Sequence, residues 1–155
     1  MTHPRLRAAL VAATTLVAFG AASPGVAVAA PSASSRYESD TIKHTNAERA
    51  LAKKKAVKAS SCVDRYAERQ ARAMAKKQQL YHQDLAPILK KCKLRSVGEN
   101  VAYGFPNGKA VTKGWMASKG HRANLLRSEY RLIGVGAVKD SDGRWYVAQV
   151  FGRAA

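Results

Sequence analysis

Acidic residues are scarce in this chain: 10 Asp and Glu stand against 27 Lys and Arg, a formal net charge of +17. Such a balance disfavours cationic partners and points to polyanions or anionic head groups. Cysteine is nearly missing as well. With two cysteines, Cys62 and Cys92, and no Cys-x-x-Cys pair, a cysteine-based zinc module is excluded. Aromatic residues make up 7% of the chain, and none falls in an RNA-binding signature or an interleaved stacking pattern. Nucleic acid is therefore not the expected partner. Beyond the first thirty residues there is no apolar run long enough to span a membrane.

The one apolar run is N-terminal. Arg5 and Arg7 precede an apolar stretch from Ala8 to Ala22, and Ala27-Val28-Ala29 obeys the small-x-small rule for signal cleavage. Residues 1–29 are thus expected to be a secretory signal, with a retained anchor as the alternative. Gly20, Ser23 and Pro24 interrupt the run, which falls short of the ~20 residues a spanning helix needs. Removal of Arg5 and Arg7 leaves 25 cations against 10 anions, +15. In an exported chain an even cysteine pair reads as a disulfide, Cys62–Cys92, rather than two separate buried thiols. Residues 30–40, which include the Ser-rich "PSASSRYESD", read as a flexible linker, leaving 41–153 as a single domain.

Helical periodicity dominates the first half. Asp40 or Thr41 can cap a helix through "IKHTNAERALAKKKAV". Ser60 or Ser61 can cap a second, "CVDRYAERQARAMAKKQQL", in which Val63, Ala67 and Met74 share one face and Arg65, Arg69, Arg72 and Lys76 take outer positions. A short third helix fits "LAPILKKC". A strand is expected near Asn100 to Tyr103, then a weak helix over "GKAVTKGWMAS". Two strands, "RLIGVGAV" and "RWYVAQVF", follow, and Asp142-Gly143 between them signals a hairpin. This order predicts an α+β layered domain rather than parallel βαβ units.

Four stretches carry polar residues of chemical interest: "LYHQDL" with His82, "VGENVAYG" with Glu99, "GWMASKGHRANLL" with Ser118 and His121, and "YVAQVFG" with Gln149. Together and in this order they resemble the CAP superfamily, that is, cysteine-rich secretory proteins, antigen 5 and plant pathogenesis-related-1 proteins. The likeness is to its bacterial SCP-like extracellular branch. It covers about Thr41 to Gly152, and its most specific parts are Gly98-Glu99-Asn100 and the Trp-x-x-Ser-x-Gly-His-Arg-x-Asn of residues 115–124. The resemblance implies an α-β-α sandwich. It also implies a cleft with two His and two acidic residues, a set that holds a divalent metal in some members. Here His82, Glu99 and His121 match three of those positions, and Ser118 stands where the second carboxylate is usual.

His82, Glu99 and His121 are therefore expected to converge in one pocket with Ser118 at its rim. They would form either a weak three-ligand site for a divalent metal such as zinc or a hydrogen-bonded network. His82 can instead simply finish a helix, and Glu99 can simply accept backbone N–H groups. Ser118 lacks the sharp Gly-x-Ser-x-Gly turn of a hydrolase nucleophile. Three functions follow as expectations. The first is a secreted binding module for a lipid-like or anionic wall ligand at the cell envelope, lipid being suggested by the resemblance. The second is purely electrostatic envelope attachment around a vestigial cleft, and the third is metal-assisted hydrolysis of a peptide or wall substrate. Catalysis is the least favoured, and the oligomeric state is not encoded in any motif.

Overall fold

The computed structural model describes Met1 and residues 30–155, so the leader expected over residues 1–29 lies, but for Met1, outside the described residues. Along the chain run helix α1 (Ala33–Leu51), a two-residue strand β1 (Lys58–Ala59), α2 (Ser61–Lys77), α3 (Ala86–Lys91), β2 (Leu94–Tyr103), α4 (Gly108–Ala117), α5 (Lys119–Leu126), β3 (Leu132–Lys139) and β4 (Trp145–Ala154). One sheet of order β1-β3-β4-β2 forms the middle layer. Both long pairings, β2 with β4 and β3 with β4, are antiparallel, while β1 joins β3 in parallel. Among the described residues no helix is long and apolar enough to cross a membrane.

Alternation along β4 divides the interior. Tyr146, Ala148 and Val150 face α2 and α3, packing with Ala71, Met74, Val63 and Ile88. Val147 and Phe151 face the other way, into a core built with Tyr37 of α1, Val111 and Trp115 of α4 and Leu125 of α5. The result is the α-β-α sandwich expected. Helix α2 sits unusually close to β3, and two glycines make that possible. A Cβ on Gly134 would lie 2.3 Å from the backbone of Asp64, and one on Gly136 2.4 Å from the Cα of Glu68. The Gly134-Val-Gly136 pattern is thus a seat for the helix backbone, which any side chain would lift away.

The expected flexible linker is corrected. Residues 33–40 are the first two turns of α1, capped by Ser32, whose hydroxyl accepts the Ser35 N–H. The serines that suggested a linker supply the cap, a role their short hydroxyl side chains suit. Tyr37 is buried and donates its hydroxyl to Phe105 O at 3.1 Å. Asp40 accepts the N–H of Lys109 at the start of α4. Further along α1, Arg49 is fully buried with no carboxylate beside it. It donates to the carbonyl oxygens of Lys55, Leu125, Arg127 and Tyr130. Its guanidinium thereby ties α1 to the end of α5, where unpaired helix carbonyls are richest.

Strand β3 is paired with β1 only at Leu132 and Ile133. Farther along that edge its N–H groups meet side chains: Val135 donates to Asp64 Oδ1 and Ala137 to Glu38 Oε1, both at 3.1 Å. Two carboxylates, from α2 and α1, thus stand in for a missing neighbouring strand.

The bridge Cys62–Cys92 joins the first turn of α2 to the end of α3, with the Cα atoms 5.7 Å apart. The expected hairpin is present with Gly143 at φ 78°, and Asp140 accepts the N–H groups of Asp142 and Arg144 in its turn. Two elements have no counterpart in the sequence-based expectation. One is β1, too short for any periodicity, and the other is α5, which follows α4 with Ser118 as the sole hinge residue.

Candidate functional site

The polar residues singled out in the sequence gather along β2, the edge strand. The side chain of Glu99 projects toward the loop that joins α2 to α3. That loop leaves the helix through Gln78, whose φ of 51° ends the helix in a left-handed turn. It is then lashed back onto the helix: Gln70 donates to Tyr81 O, and Gln83 Nε2 to Tyr66 O at 3.4 Å. His82 is thereby held over Glu99, its Nδ1 2.7 Å from Oε2. Gln83 completes the arrangement, its side-chain amide donating to Oε1 at 2.7 Å and its backbone N–H to Oε2 at 3.3 Å. The Glu99 side chain is 1% exposed and that of His82 58%. The buried carboxylate is thus hydrogen-bonded by two side chains and one backbone N–H, while the imidazole above it faces solvent.

Asn100 turns to the other face. Its amide donates to Gln149 Oε1 at 3.1 Å and to His121 O at 3.3 Å. Gln149 in turn donates to Thr45 Oγ1 at 2.8 Å. Asn124 of α5 donates to Glu99 O at 2.9 Å and to Asn100 Oδ1 at 3.0 Å. Its side-chain amide satisfies an edge carbonyl that no further strand covers. Trp115 does the same for Val101 O at 3.3 Å. These contacts fix α4 and α5 against the open side of β2. Close approach here requires Gly98, where a Cβ would meet Tyr130 Oη at 2.4 Å.

Ser118 and His121 form a second pair, Oγ to Nδ1 at 3.0 Å. Burial, and secondarily the nearby His82, holds the His121 pKa below its ordinary value of 6.5. Both residues line a cavity of about 280 Å³. Its walls are otherwise apolar, from Val101, Ala102 and Trp115 to Phe105, whose ring fills the space beside Gly114. Leu80 and Tyr103 form its lip, 46% and 50% exposed.

The structure therefore distributes the four expected residues over two hydrogen-bonded pairs, His82–Glu99 and Ser118–His121. It assigns only the second pair to the wall of the cavity. Among the described residues no group of three or more His, Cys, Asp and Glu side chains is arranged to hold a metal ion. The donor chemistry explains this. Both oxygens of Glu99 are already engaged by Gln83 and His82, and a neutral hydroxyl replaces the second carboxylate and bonds the second histidine. As arranged, the side chains bond within two separate pairs rather than pointing their donors at one shared centre. Gln83 and Thr45 were not legible as site residues, because an amide or hydroxyl in a helix or loop carries no spacing signal of its own.

Comparison with known proteins agrees with this architecture. An uncharacterized Bacillus subtilis protein, YkwD, is 31% identical over 131 residues, covering 80% of this chain. The chain spans about half of that relative's length, 50%. An extracellular Bacillus anthracis protein containing a SCP domain has the same fold, with a TM-score of 0.68 at 24% identity over 77% of this chain and 41% of that one. An outer surface protein of Borrelia burgdorferi does too, with a TM-score of 0.67 at 17% identity over 74% of this chain and 90% of that one. The model of the cysteine-rich secretory protein family, CAP, matches residues 42–151. With that match over most of its length, the chain belongs to the cysteine-rich secretory protein (CAP) family.

Proposed function

We propose that this CAP domain is a secreted binding module that holds a single apolar chain in the cavity at the β2 edge, with the polar end of the ligand at Ser118 and His121. One observation carries the reading. A cavity of about 280 Å³ has mostly apolar walls, an exposed lip of Leu80 and Tyr103, and the hydrogen-bonded pair Ser118 and His121 in its lining. That volume lies at the lower limit of the ~300–1,000 Å³ typical of small-molecule sites, enough for one chain rather than a fused ring system. A neutral His121 beside Ser118 offers a donor and an acceptor to a carboxyl or ester head group. Secretion is supported by the leader pattern of residues 1–29 and by relatives described as extracellular or outer-surface proteins. Electrostatic retention at an anionic envelope is the companion reading, supported by the net charge.

The test uses a fluorescent polyene fatty acid and the mature chain. Saturable binding is expected, weakened about thirtyfold in Leu80→Ser/Tyr103→Ser, since each apolar lip residue removed costs on the order of 1 kcal/mol of transfer energy. No saturable binding, or equal affinity in the double variant, would overturn the proposal. Metal-assisted hydrolysis gains no support from the donor set at Glu99, whose carboxylate is already occupied.

A further inference from the structure

The outer face of α2 carries a run of exposed cations. Arg65, Arg69, Arg72 and Lys76 are all exposed. Their spacing of 4, 3 and 4 residues sets them in one stripe, roughly 16 Å long at ~1.5 Å per residue. At its N-terminal end the Cys62–Cys92 bridge brings in Lys91 and Lys93, exposed residues that flank Cys92. None of these six cations forms an ion pair among the described residues, whereas Arg127, Arg144 and Arg153 each have a carboxylate partner. Of the two carboxylates of α2, Asp64 accepts the Val135 N–H of β3, and Glu68, which lines a surface pocket with Arg72, forms no ion pair with the stripe. Four unpaired cations on α2 and two more beside its disulfide partner repel one another until an anion arrives.

We infer that this stripe is a docking track for a linear polyphosphodiester that carries no bases. Three of the four helix cations are arginines, whose planar fork matches phosphate oxygens in pairs. The aromatic rings beside the track argue against nucleic acid. Tyr66 is covered by the Arg69 guanidinium at 4.5 Å and Tyr81 by the Lys77 ammonium at 4.9 Å. Neither ring is left open as a platform for base stacking. A bilayer is disfavoured because the exposed large apolar side chains of the mature domain, Leu51, Leu80 and Tyr103, all lie off this helix. The track lies on the layer opposite α4 and α5, so it is independent of the apolar cavity and of the function proposed for it.

The test titrates the mature chain with poly(glycerol phosphate) across a series of salt concentrations. The track variant is R65Q/R69Q/R72Q/K76Q, and the charge-matched control is K53Q/K54Q/K55Q/K58Q, four exposed lysines off α2. For a flexible strand each contact contributes about 0.7 to the log–log salt slope, so the track variant should lose about 3 from the slope and at least tenfold in affinity. The control should change by less than a third of that. If the quadruple variant does not fold, R69Q/R72Q should show about half the loss of slope. Equal losses in track and control variants would reduce the effect to net charge and overturn the proposal. So would tighter track-dependent binding of single-stranded DNA or of anionic vesicles than of the polymer.

Discussion

His121 shows how a side chain that sequence identifies can acquire its character from neighbours that sequence does not. Its motif, Gly-His-Arg-x-Asn, marks it as a candidate, and so do Gly-Glu-Asn for Glu99 and Leu-Tyr-His for His82. That Glu99 is capped by Gln83, and that His121 bonds Ser118 rather than a carboxylate, depends on loop paths set by tertiary packing. Burial first, and the neighbouring His82 second, disfavour the His121 cation. A lowered folded-state pKa fixes the sign of the linkage. The unfolded chain takes up the proton first, so the stability associated with His121 is intact above pH 6.5 and is lost as pH falls toward its folded value. Ring-proton NMR should give a His121 midpoint below 6.5, moving upward in His82→Gln as one positive neighbour disappears. A midpoint at or above 6.5, or one indifferent to residue 82, contradicts this electrostatic picture.

Among the elements, those with a strong period or a strong turn were legible: α2 through its apolar stripe, and the β3–β4 hairpin through Asp142-Gly143. Helix α1 was legible only from its middle, because the Ser-rich start that forms its cap has the composition of a linker. The strand expected at residues 100–103 extends back to Leu94, where Arg95 and Ser96 mask the alternation. Helix α5 was hidden by its contact with α4, since Ser118 ends one and begins the other with no Gly or Pro to mark a boundary. The meaning of Gly134 and Gly136 likewise required the structure, which reveals them as contact points for α2. Gly136→Ala should cost about 3 kcal/mol, the upper end of overpacking costs, because the clash is with backbone that no rotamer change relieves. Gly120→Ala meets nothing within 4 Å and should stabilise slightly, by up to ~1 kcal/mol, since it lies within α5. Urea midpoints of the two variants should move in opposite directions. A shared direction would show that helix α2 can yield where its contact looks tight.

At the scale of the molecule, α2 is held from two sides, by the glycine seat on β3 and by the Cys62–Cys92 bridge to α3. The bridge closes a separation of 30 residues, worth about 3–4 kcal/mol in the chain-entropy estimate. Cys62→Ser/Cys92→Ser should therefore unfold at lower urea by about 2–4 kcal/mol, and a midpoint unchanged within error would assign the holding of α2 to packing alone. The overall architecture was legible because four motifs in order, an α+β element sequence and an even cysteine pair all pointed to one layered fold. What could not be read was how its sheet ends. On one side Asn124 and Trp115 meet the carbonyls of β2, and on the other Asp64 and Glu38 meet the amides of β3. A sheet finished by side chains from its own helices offers no template for recruiting a strand from another copy. Such finishing lets copies of the domain reach high local concentration without edge-to-edge strand pairing.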